Sequence, residues 1–103
     1  MDFDKFKAIY QFTARVNLPT QFPEITLETD NDEAREEFLE LLIKNLRRSD
    51  YVTRYRRDQF LAMLNDLPAE KLETVRRKIL AAWLEKNLGG EITFEAGEVS
   101  IDN

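Results

Sequence analysis

At 103 residues the chain has room for one hydrophobic core and not for two ordinary domains, so residues 1–103 are read as a single domain. Hydrophobic residues at 43%, charged residues at 34%, three Gly and three Pro are the balance of a packed globular protein rather than a disordered tail. A net charge of −5 argues against a general nucleic-acid binder, and the absence of Cys and His removes disulfides, thiolate chemistry and the commonest general base and zinc ligand. Carboxylate chemistry remains, which usually means Mg²⁺. No apolar run approaches the roughly 18 residues of a membrane span, and Met1-Asp2-Phe3-Asp4 lacks the basic-then-apolar layout of a signal peptide. The expectation is a cytoplasmic protein with no membrane contact.

In chain order, Phe3, Phe6, Ile9, Tyr10, Phe12, Ala14 and Val16 recur at steps of three and four, which predicts a first helix ending before Pro19. Glu24 to Thr29 alternates polar and apolar residues, as a strand with one buried face does. Asp30 followed by Glu33 has capping-box spacing, and Ala34, Phe38, Leu41, Leu42 and Leu46 continue as a helical stripe. Acids at the start of this helix (Asp32, Glu33, Glu36, Glu37) and bases at its end (Lys44, Arg47, Arg48) both suit the helix dipole.

Tyr51–Tyr55 and Phe60–Leu64 are β-rich runs around the polar tetrapeptide Arg56-Arg57-Asp58-Gln59, which predicts a hairpin whose turn lacks an Asn-Gly or Asp-Gly signal. Pro68 opens a helix with Leu72, Val75, Ile79, Ala82 and Trp83 on its apolar face, and Gly89-Gly90 provides a stop. Ile92, Phe94 and Ala96 alternate as a closing strand, with Gly97 turning toward a short strand over Val99–Ile101. The fold class is α+β: an added N-terminal helix followed by β-α-β-β-α-β, the ferredoxin-like pattern. In that pattern the helices cover one face of an antiparallel sheet, so the other face is expected to be free of helix.

The segment Arg47-Arg48-Ser49-Asp50-Tyr51-Val52-Thr53-Arg54-Tyr55-Arg56-Arg57-Asp58-Gln59-Phe60-Leu61-Ala62-Met63-Leu64 resembles the centre of a GGDEF, or diguanylate cyclase, domain. There an R-x-S-D stretch leads through an Arg-Tyr pair into G-G-[DE]-E-F and a hydrophobic strand. Here the signature position reads Arg56-Arg57-Asp58-Gln59-Phe60, so Asp58 and Phe60 alone match and the signature is degenerate. Ile92-Thr93-Phe94-Glu95-Ala96-Gly97 is similar to the family's late V-T-x-S-x-G strand, and the coarse correspondence covers residues 24 to 97.

The resemblance implies a GTP and Mg²⁺ site, and the chain departs from it in several places. Arg56 and Arg57 stand where two glycines would let the hairpin approach phosphate. Gln59 presents a neutral amide where the family has a glutamate ligand to Mg²⁺. Asp58 keeps a carboxylate, for which turn chemistry is a sufficient account. Glu28 or Asp30, with Asp32 nearby, stands near the family's strand-end aspartate, although helix capping already explains these residues. The family's guanine loop has no counterpart between Thr29 and the Asp30 helix, and its last helix would lie beyond Asn103.

The resemblance therefore implies no catalytic residues, no metal, no cofactor and no enzyme activity. It points to a regulatory or docking module in bacterial signalling that acts on a protein partner or by self-association, through an exposed sheet edge or an undocked first-helix stripe. The alternative is a cyclic di-GMP receptor, because Arg47-x-x-Asp50 matches the spacing of the family's inhibitory product site and Arg with Asp can hold phosphate and guanine. Five of the nine arginines lie between 47 and 57, and a solvated hairpin accounts for Arg54, Arg56 and Arg57 equally well. RNA binding is the weaker option, since no R-G-F-G-F-V-like strand is present.

Overall fold

The computed structural model describes residues 2–16 and 20–96. It is a mixed α/β domain with three helices and an antiparallel sheet among the described residues. The elements are α1 (Phe3–Val16), β1 (Thr20–Gln21), β2 (Pro23–Glu28), α2 (Asp32–Asn45), β3 (Tyr51–Arg56), β4 (Gln59–Asn65), a 3₁₀ turn (Ala69–Lys71), α3 (Leu72–Lys86) and β5 (Glu91–Ala96). The expected strand over Val99–Ile101 lies outside the described residues.

Across the sheet the strands run β3, β4, β2, β5, and the two-residue β1 pairs with the far end of β4 through Thr20 with Asn65 and Gln21 with Leu64. On one face α2 and α3 bury Ile25, Leu27, Phe38, Leu42, Phe60, Ala62, Leu64, Ile79 and Trp83. Phe38 is the hub of this layer, meeting Phe60 edge-on at 5.4 Å and Trp83 at 5.0 Å.

The opposite face is not free of helix, which corrects the expectation from the strand-helix order. Helix α1 lies over β3 and β4, packing Phe6 onto Leu61 and Met63 with Phe3, Ile9, Tyr10, Phe22 and Tyr51 around them. Phe3 meets Tyr55 at 5.3 Å with the rings tilted by 40°, and Tyr10 meets Phe22 at 4.8 Å. Phe3, Phe6, Ile9 and Tyr10 of the α1 stripe are thus packed within the chain, while Phe12 is left 67% exposed. Strand β4 consequently buries all of Phe60 to Leu64, which is why it reads as an unbroken apolar run, while β2, covered on one face, alternates.

Helix α2 is capped by Asn31, not by Asp30: the Asn31 Oδ1 accepts from the Glu33 and Ala34 amides at 3.0 and 3.4 Å. The hairpin turns at Arg57-Asp58, neither of which takes a positive φ, so it is not one of the primed two-residue turns. The β3–β4 register shifts at a bulge between Arg54 and Arg56. Helix α3 ends at Asn87 in the left-handed conformation, ahead of the expected glycines. Gly90 has a different task, since a Cβ there would stand 2.8 Å from Leu27 Cδ1 and 3.2 Å from the Glu28 carbonyl oxygen.

Two predictions follow from this packing. Phe6→Ala empties the α1 contact and costs about 3–5 kcal/mol, measurable by urea unfolding. Glu73 accepts from Arg76 at 2.8 and 2.6 Å and from Arg77 at 3.2 Å, and the Arg76 hydrogen bonds foremost hold its carboxyl down from 4.5 to about 2. The unfolded chain binds that proton near pH 4.5 and the folded chain near pH 2, so the pair's contribution is complete above 4.5 and lost as pH falls to about 2. Glu73→Gln flattens this acid limb of the stability curve, and the difference shrinks in about 1 M salt because the carboxylate is half exposed.

Candidate functional site

The signature-position turn sits where the ends of three elements meet: the last residues of β2, the first turn of α2, and the β3–β4 hairpin. Its backbone is tied down by the Leu27 amide, which donates to the Asp58 carbonyl at 2.8 Å. Its side chain is tied down by Arg35. That arginine is 1% exposed, and each of its three guanidinium nitrogens donates to a different oxygen: Nε to Asp58 Oδ1 at 2.6 Å, one Nη to Asp32 Oδ1, and the other to the Thr29 carbonyl. The Asp58 hydrogen bond foremost raises the pKa of the guanidinium, so it is cationic at every pH the fold survives.

Neither the apolar stripe nor the acid-to-base gradient read from the sequence of this helix includes Arg35. Two signals mark it. It falls three and seven residues before Phe38 and Leu42, on the buried stripe, and it places a cation at the positive end of the helix dipole, where only carboxylates make one welcome.

The other signature residues are similarly committed. Gln59 Nε2 donates to Glu24 Oε1 at 2.8 Å, and the Gln59 amide oxygen is buried with no hydrogen-bond partner among the described residues. Phe60 is a core residue. Arg54 reaches Glu36 of α2 at 2.7 Å and the Arg57 carbonyl at 3.1 Å, while the Arg56 guanidinium lies 5.2 Å from the Tyr55 ring centre. Arg57 stays in solvent, 3.9 Å from Asp32. Glu28 and Asp30, the candidate strand-end acids, are exposed and do not join the Asp32–Arg35–Asp58 group.

The Mg²⁺ that the GGDEF resemblance implies does not fit these residues. A hard dication asks for several convergent oxygens, and those that converge here already surround a guanidinium. No group of three or more His, Cys, Asp or Glu among the described residues is arranged to hold a metal.

Arg47 and Asp50 do come together, as partners of each other. Asp50, with its side chain 3% exposed, accepts from Arg47 Nε at 3.0 Å, Arg47 Nη2 at 3.1 Å and the Arg47 amide at 2.9 Å. It also accepts from the Asn65 amide at 3.2 Å, and Arg47 Nη2 returns a 2.6 Å bond to the Asn65 carbonyl. Hydrogen bonding to Asp50 foremost raises the Arg47 pKa. The pair fastens the α2–β3 connection to the end of β4, and it also lines a groove of about 350 Å³ with Ile43, Leu46, Arg48 and Tyr51.

No family model matches the chain, and no curated protein does. Among solved structures, the fold is similar to that of a DGC (diguanylate cyclase) protein from Thermotoga maritima, with a TM-score of 0.72 at 18% identity, over 98% of this chain and 82% of that one. At this identity the likeness is one of fold. No helix of the described residues is long and apolar enough to cross a membrane.

Asp50→Ala strands the Asn65 amide and the Arg47 fork and lowers stability by about 1–3 kcal/mol, whereas Arg48→Ala, at an exposed neighbour with no ion pair among the described residues, is near neutral. Chemical denaturation of the two variants checks this ranking.

Proposed function

We propose that this chain is a catalytically inactive, GGDEF-like regulatory or protein-interaction module of bacterial signalling, acting on a protein partner or a second copy of itself and not as an enzyme. The observation that supports this most strongly is the state of the hairpin turn. Its one acid is held by Arg35, its amide is held by Glu24, and long arginines replace the residues that would let phosphate approach the backbone. A turn whose one carboxylate and side-chain amide nitrogen are taken up by the fold has no free acid to offer a nucleotide's metal. The β3, β4, β2, β5 order, with helices α2 and α3 on one face, supports reading the domain as a ferredoxin-like sheet of shortened GGDEF type carrying an extra N-terminal helix. A cytoplasmic location belongs to the same reading, as does the absence of nucleic-acid and membrane partners.

One observation favours a second reading, a cyclic di-GMP receptor. The groove beside Arg47 and Asp50 carries an exposed arginine, Arg48, and an aromatic ring, Tyr51, which are groups that suit a phosphate and a base. A ligand there competes with the Arg47–Asp50 pair, because both oxygens of Asp50 are already engaged.

Incubation with GTP and Mg²⁺, followed by chromatography of the nucleotides, is expected to return GTP unchanged. Formation of cyclic di-GMP would overturn the inactive reading. Calorimetric titration with cyclic di-GMP separates the two proposals: micromolar binding that Arg47→Ala removes selects the receptor, and silence selects the protein-interaction module.

A further inference from the structure

We infer that Arg35 is the resident cation of the hairpin site, filling permanently the place from which a divalent metal would otherwise organise the turn. This rests on the inactive reading above and says what replaced the metal. Three oxygens from three separate segments converge on one point: the Thr29 carbonyl after β2, the Asp32 carboxylate at the start of α2, and the Asp58 carboxylate in the turn. Oxygens gathered from separated parts of a chain, two of them anionic, repel one another unless a positive charge sits among them. Here that charge is covalently attached, through a side chain with only 2% of its surface exposed, on the helix that forms one wall of the site.

Guanidinium suits this task differently from a metal. Its donors are planar and directed, so each nitrogen fixes one oxygen in direction as well as distance. It cannot dissociate, and it cannot lose its proton. A dication entering the same oxygens would meet a like charge at contact distance and would first have to expel a buried side chain. The oxygens that converge here are therefore occupied, and Mg²⁺ and Mn²⁺ are kept from them while the guanidinium stays in place.

The consequence is regulatory. Where a metal or metal-nucleotide complex holds a turn, the turn is ordered only when the ligand is present. Where Arg35 holds it, the arginines of the hairpin tip are presented to a partner at all times, independent of metal and nucleotide supply.

The test is a titration of the folded protein with Mn²⁺, followed by paramagnetic loss of backbone amide signals, for wild type and for Arg35→Gln. In the wild type the amides of Thr29, Asp32 and Asp58 are expected to keep their intensity, and the melting temperature to stay constant with added Mn²⁺. In Arg35→Gln, whose oxygens have lost their cation, the same amides are expected to broaden, and the melting temperature, lowered by the substitution, to recover in part with Mn²⁺. Selective broadening of these amides in the wild type would overturn the inference, and so would a folded variant as blind to Mn²⁺ as the wild type. Should Arg35→Gln fail to fold, the wild-type titration decides alone. Mn²⁺ binding without cyclic di-GMP formation would remove this inference and leave the inactive reading standing, whereas turnover of GTP would remove that reading itself.

Discussion

A buried guanidinium cannot shed its charge, and that constraint organises the upper end of this domain. Arg35 lies beneath the hairpin with almost no solvent access, so its donors must be met by protein oxygens. Meeting them draws the β2–α2 connection, the first turn of α2 and the β3–β4 turn to one place. The acids at the start of α2 consequently serve twice. They suit the positive end of the helix dipole, and Asp32 and Glu36 also provide counter-charges for Arg35 and Arg54. The turn residue Asp58 is in this setting the anchor of an ion pair with Arg35.

The other end of the sheet is fastened by the same chemistry with its burial reversed. There the carboxylate of Asp50 is enclosed and the guanidinium of Arg47 is half exposed. Asp50 gathers four donors from two segments, which is the full acceptor capacity of a carboxylate. Two Arg–Asp pairs thus hold the hairpin at its tip and at its base, and both involve residues that a family resemblance would assign to ligands.

Between these fastenings the two faces of the sheet are unequal. Helices α2 and α3 cover one side, whereas α1 covers the β3 and β4 half of the other. The remaining half is acidic and open: Glu24 lies directly opposite Glu95, and Glu28 opposite Glu91, around a Thr26–Thr93 pair. Like charges opposed across a ladder cost some stability, which Gln59 offsets in part by donating to Glu24. The open half explains why β2 and β5 alternate in sequence while β4 does not.

Periodicity and turn chemistry were enough to place the three helices and strands β2 to β5 within a few residues, though not the short β1, because apolar spacing at 3.6 or 2 reports which face of an element is buried. The hairpin over 51–65, the helix entered after Pro68 and the closing strand before Gly97 all follow from local pattern. So does the placement of Arg47 near Asp50, which are three residues apart. What pattern could not supply is anything that depends on distant parts of the chain meeting. The docking of α1 on β3 and β4 brings Phe6 onto Leu61 and Met63, far along the chain, and nothing in the α1 stripe itself names the surface it covers. Asn31 displaced Asp30 as the cap because one residue's shift in the strand end decides which side chain faces the free amides. The pairing of Arg35 with Asp58 joins residues 23 positions apart, through a side chain whose burial is created only when the hairpin folds over α2. Charge is a local property of sequence, but whether a charge is solvated or buried is a tertiary one, and that difference separates a surface arginine from the cation that holds this site together.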